Sequence, residues 1–147
     1  MKRLAALVAV LTIAGCAPDV ERTEVVRVPS PDGALDAVVV QTSAGASTPF
    51  GYLVTVPPHG CAAADEPVLR VVGASRSASA AGVTVAWVGP RTVRVGWLDA
   101  RFRDPDADVV TLDGPEGPVS VVSGAGASDA TAPPGGMPPS TGPVEDC

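Results

Sequence analysis

The chain is short of most residue types on which site chemistry draws. Among 147 residues there is one histidine, His59, and there are three cysteines, Cys16, Cys61 and Cys147. A transition-metal cage needs three or four nitrogen or sulfur ligands, so this inventory argues against one. A Ser–His–Asp triad or a Cys–His dyad would rest on His59 alone. That histidine sits in the turn-prone run Pro57-Pro58-His59-Gly60-Cys61, with no companion in the sequence to orient it. His59 is therefore expected as an exposed loop residue, and no catalytic residues and no enzyme activity are expected. Aromatics make up only 3%, and lysine occurs once, as Lys2. No apolar run approaches the roughly 20 residues that a membrane-spanning helix requires. The balance of 10 cations against 16 acids, with no basic run, leaves no electrostatic footprint for nucleic acid. The 16 glycines and 16 prolines would interrupt any long helix.

The N-terminus carries the most specific signal. Lys2 and Arg3 form a positive head, and Leu4 to Ile13 form an uncharged, mostly apolar stretch too short to span a bilayer, as in a secretory signal peptide. The stretch ends in Leu11-Thr12-Ile13-Ala14-Gly15-Cys16, which resembles the lipobox of bacterial lipoprotein precursors. That resemblance implies removal of residues 1–15 and a diacylglyceryl group on Cys16, which becomes the first residue of the mature chain. The lipid chains (palmitate is typical of such anchors) hold a protein durably, because each buried methylene contributes about 0.8 kcal/mol. Ala17 follows the cysteine, in place of the aspartate that resembles an inner-membrane retention signal. In a Gram-negative cell this favours the outer membrane; otherwise the extracellular face of the plasma membrane is expected. Loss of Lys2 and Arg3 takes the formal net charge from −6 to −8 and leaves arginine as the only strong cation. Membrane attachment is thus expected to come from the lipid.

The remainder reads as a lipidated tether over residues 16–23, a β-rich domain over 24–122 and a tail over 123–147. Period-two, valine-rich runs predict strands at Glu24–Val28, Ala34–Gln41, Phe50–Val56, Val68–Val72, Val109–Leu112 and Pro118–Val122. Val83–Leu98 reads as a hairpin across Gly89-Pro90, and Gly73–Gly82 as a loop. With no helix-period segment, the expectation is an all-β fold, a single antiparallel sandwich or small barrel of about 6–8 strands. Trp87, Trp97, Phe50 and Tyr52 share the phase of neighbouring valines, and with Phe102 they mark the expected core between residues 50 and 102. The tail holds five glycines and five prolines and little to bury, so it is expected to be disordered.

Ser30-Pro31-Asp32-Gly33 before a strand resembles the blade opening of periplasmic propeller proteins, but a single copy cannot build a propeller. Together with the aromatic strand and the Val-Trp hairpin, the segment of roughly residues 30–102 is similar to small bacterial lipoproteins whose domain has no assigned function. That likeness implies no activity.

Two constellations remain. If Cys16 is lipidated, Cys61 and Cys147 are an even pair in an oxidising compartment. They either form an intramolecular disulfide or stand as separate thiols that link two chains. Asp104, Asp106 and Asp108 resemble the start of an EF-hand calcium loop. However, Val109 stands where glycine is needed, Pro115 stands where the bidentate glutamate should be, and Arg101 and Arg103 compete for the carboxylates. A solvated acidic turn, with no metal and no cofactor, is the expectation there. The functional expectation is a non-catalytic binding or structural lipoprotein of the bacterial cell envelope, partnered by the membrane and by an envelope protein or polymer. The alternative is a small-ligand or calcium-binding lipoprotein.

Overall fold

A computed structural model describes residues 20–77, 80–126 and 147. The expected signal peptide, Cys16 and most of the tether lie outside the described residues, as does the tail from 127 to 146. Every described strand lies C-terminal to Val20, so a chain beginning at Cys16 contains all of the described fold.

Among the described residues eleven strands run in the order β1 (Glu21–Pro29), β2 (Asp36–Ser43), β3 (Gly51–Thr55), β4 (Leu69–Val72), β5 (Arg76–Ser77), β6 (Ala80–Ala81), β7 (Val83–Gly89), β8 (Thr92–Trp97), β9 (Phe102–Asp104), β10 (Val109–Gly114) and β11 (Gly117–Ala125). A five-stranded sheet has the order β1-β2-β3-β4-β9 and a four-stranded sheet the order β10-β11-β8-β7; β5 and β6 form a small ribbon. The result is an all-β sandwich of nine strands in its two main sheets, more strands than the six to eight expected. The ninth strand is β9; the β5–β6 ribbon, outside the two main sheets, falls within the segment read as a loop.

Pairing register explains how the valine pattern becomes a core. In the first sheet Val39 pairs with Val54 and Val54 with Leu69, and all three are buried. Cross-strand partners share a face, so this row points inward. In the second sheet the pairs Val83–Trp97, Val85–Val95 and Trp87–Val93 line the opposing inner face, joined by Val121 from β11. The Trp87 indole N–H also donates to the Val28 carbonyl at 2.8 Å, tying β7 to β1 of the facing sheet.

Three expectations are corrected. The sandwich is not wholly antiparallel, because β11 pairs with β8 in parallel, from Ser120–Thr92 to Ala125–Trp97. After β8 the chain crosses to the other sheet as β9 and returns as β10. The turn between β10 and β11 then lays β11 beside β8 in the same direction. Alternating valines record which face a residue takes and nothing of strand direction. Phe50 and Phe102 are not core residues, being 38% and 55% exposed. Phe50 lies before β3 begins, and Phe102 takes the outer face of an edge strand as the partner of Val72. Finally, β1 begins at Glu21 and β11 continues to Ala125, so pairing extends beyond the expected strand at both ends.

Candidate functional site

The outer face of the five-stranded sheet holds the densest polar cluster among the described residues. Asp36 opens β2 and alternates with the inward Ala37, so its side chain takes the outer face, where it is 1% exposed. The loop after β3 folds back over it: Asp36 N–H donates to the Pro57 carbonyl, and His59 N–H to that of Ala34. Asp36 Oδ2 accepts from Arg27 Nη1 at 2.6 Å and from Gly60 N–H at 2.9 Å, and Oδ1 lies 2.8 Å from His59 Nδ1. Arg27 also donates to both oxygens of Glu24 and, at 3.0 Å, to the Cys61 carbonyl. Burial opposes the Asp36 charge, but the Gly60 N–H, His59 and Arg27 outweigh it and hold the carboxyl below its ordinary range. Hydrogen bonds to Glu24, with a further contribution from Asp36, raise Arg27.

Cys61 ends that loop, and its sulfur is bonded to that of Cys147 at 2.03 Å, with the Cα atoms 5.6 Å apart. The disulfide joins positions 86 apart in sequence, so Cys147 is fixed beside the Asp36 cluster. It also bears on a Cys61–His59 dyad, since a sulfur held in a disulfide presents no thiolate. His59 itself is 58% exposed but held through Nδ1, which makes it a loop histidine with one fixed edge. Sequence reading missed Asp36 as the hub. The available signal was a carboxylate directly before the apolar run Ala37-Val38-Val39-Val40, where an acid is buried only if it is partnered.

The acidic turn places its carboxylates on an arginine. Arg103 reaches Asp106 Oδ1 at 2.8 Å and Asp108 Oδ1 at 3.0 Å, and the two carboxylates raise the guanidinium further above its ordinary value. Asp104 instead sits on β9 as the cross-strand neighbour of Arg70. The three aspartates therefore do not converge, and among the described residues no group of three or more His, Cys, Asp or Glu side chains is placed to hold a metal ion. Beside this turn a groove of about 590 Å³ is lined by Trp97, Phe102, Arg101 and Arg103, with Gly124 and Ala125 at the end of β11. The Ser30-Pro31-Asp32-Gly33 turn is held mainly by its own bonds, with Arg91 3.9 Å from Asp32 Oδ2 as an outside partner. Asp32 accepts from the Ser30 hydroxyl and the Ala34 N–H, and both bonds lower its carboxyl.

No family model, curated protein or solved structure matches this chain. Among the described residues no helix is long and apolar enough to cross a membrane.

Proposed function

We propose that the chain is a lipid-anchored protein of the bacterial cell envelope with a non-catalytic binding or structural role. The observation that carries this reading is Leu11-Thr12-Ile13-Ala14-Gly15-Cys16, closing a charged and then apolar leader at the spacing of a lipoprotein signal. Two features support it. The Cys61–Cys147 disulfide fits an oxidising compartment outside the cytosol. The folded sandwich begins at Glu21, close enough to Cys16 that only a short tether separates the lipid from the domain. A non-catalytic role fits the site chemistry as well: Cys61 is consumed in the disulfide, and the carboxylates of Asp106 and Asp108 are engaged by Arg103. In a cell with two membranes Ala17 directs the protein to the outer one; the partner there is an envelope protein or polymer.

Mass spectrometry of the N-terminal peptide from membrane fractions tests the anchor. The expected product begins at Cys16 with a thioether-linked diacylglyceryl group, and Cys16→Ser releases the protein from the membrane. A mature chain cut elsewhere, with a free Cys16 thiol, would overturn the reading.

A further inference from the structure

A second groove, of about 370 Å³, opens on the outer face of the five-stranded sheet at the end where the described chain begins. Its floor follows one cross-strand row, Arg22–Thr42–Gly51–Val72. Gly51 leaves that floor open, because a side chain there would collide with the Thr42 hydroxyl. Val20 and Leu53 supply apolar lining, and Arg22 and Arg70 are the charged side chains of its lining among the described residues. Both arginines are exposed, and among the described residues neither is in an ion pair. Nearby Glu24 is committed to Arg27, while Asp104, across the strand from Arg70, is not bonded to it. On a chain of net charge −6, a groove whose described lining holds two guanidiniums and no carboxylate selects an anionic occupant.

The tether says which anion is at hand. Val20 lies four positions beyond Cys16, and a fully extended chain covers at most about 3.6 Å per residue. A lipid on Cys16 would therefore keep the mouth of the groove within roughly 14 Å of the bilayer surface. That is less than about two screening lengths at physiological salt. We infer that Arg22 and Arg70 dock on the phosphates of anionic phospholipids in the membrane that holds the lipid anchor. The outer face of the β1–β4 layer then faces the bilayer, and the β7–β8–β11 layer faces away from it. This orientation rests on the anchoring reading proposed above. It adds to the lipid a contact that no run of basic residues announces, since the two arginines come from β1 and β4.

The test uses the lipidated protein in nanodiscs of phosphatidylcholine alone, or of phosphatidylcholine and phosphatidylglycerol in equal parts. Arginines are modified with phenylglyoxal and rates are read residue by residue by mass spectrometry. Phosphatidylglycerol is expected to slow Arg22 and Arg70 by about fivefold each, the factor that accompanies attraction of one arginine to an anionic surface. Arg94, on the outer face of the other sheet, should react alike in both discs and serves as the control. High salt should abolish the protection. Equal rates for Arg22 and Arg70 in the two lipids overturn the proposal while leaving the anchor intact. So does protection by a soluble acidic peptide with none from phosphatidylglycerol, which makes the groove a peptide site. If Cys16 carries no lipid, the anchoring reading fails first and this orientation falls with it.

Discussion

At the scale of single residues, Asp36 carries the largest electrostatic stake in the fold. Its carboxylate is buried against Arg27, the Gly60 N–H and His59, so removing the charge strands a buried guanidinium edge and a backbone donor. Asp36→Asn is expected to cost about 1–3 kcal/mol at neutral pH, the usual penalty for a buried donor left unsatisfied, since Arg27 keeps Glu24 and the amide oxygen can still accept one bond. The sign of the pH dependence follows from the lowered carboxyl. Stability contributed by Asp36 is fully present above the unfolded-state value near 3.9 and is lost as pH falls through the lower folded-state value. Denaturant melts should therefore show the gap between parent and Asp36→Asn narrowing below about pH 4 and constant above it. Thr55 makes the opposite case. Its residue is 1% exposed and its hydroxyl has no hydrogen-bond partner among the described residues. Thr55→Val keeps the branched shape and removes the unsatisfied oxygen, and should raise stability by about 1 kcal/mol in the same melts.

At the scale of elements, the loop from Pro57 to Cys61 and the turn from Pro105 to Asp108 behave differently because one is cross-linked and the other is not. The Cys61–Cys147 bridge closes a long loop, so its reduction should destabilise the sandwich by about 2–4 kcal/mol. The check is a thermal melt with and without reductant, and the parent should lose what a Cys61→Ser, Cys147→Ser double variant has already lost. In the acidic turn Arg103 already pairs with both Asp106 and Asp108, which occupies an oxygen of each carboxylate. Calcium titration by calorimetry should therefore give no heat beyond dilution, and Tm should be unchanged by calcium or by chelator. Sequence spacing placed those aspartates close enough to suggest a cation site. It also marked Arg101 and Arg103 as competitors for them, but not which of the two takes the carboxylates, because that depends on the direction in which the chain leaves β9.

At the scale of the whole molecule, the two sheets share one apolar core, and side chains such as Trp87 reach across it to the opposite backbone. A shared core predicts a single cooperative transition. Tryptophan fluorescence, which reports on β7 and β8, and far-UV circular dichroism, which reports on both sheets, should give the same midpoint. Much of this architecture was legible: the phase of Val39, Val54, Val93 and Val95 names the inner faces, and the Gly89-Pro90 turn marks the hairpin. The exposed Phe50 and Phe102 were not legible, because periodicity assigns a phase but not whether a facing layer covers that end of the sheet. The Asp36 cluster was hidden for a related reason. Its members, Glu24, Arg27, Asp36 and His59, come from two strands and a loop, and only the fold-back of that loop over the outer face brings them together.

The sequence by itself determined that the chain is built of strands and, for most of the valines, which residues alternate inward; in its first sixteen residues it holds the resemblance on which the anchoring proposal rests. These are local properties: side-chain period, turn chemistry and a contiguous motif. Only the tertiary structure decided that β11 runs parallel to β8, that Asp106 and Asp108 belong to Arg103, and that Arg22 and Arg70 share one groove. Each of those depends on where segments distant along the chain come to lie. Partner and direction are set by packing the two sheets together, and neither is written in the alternation of valines.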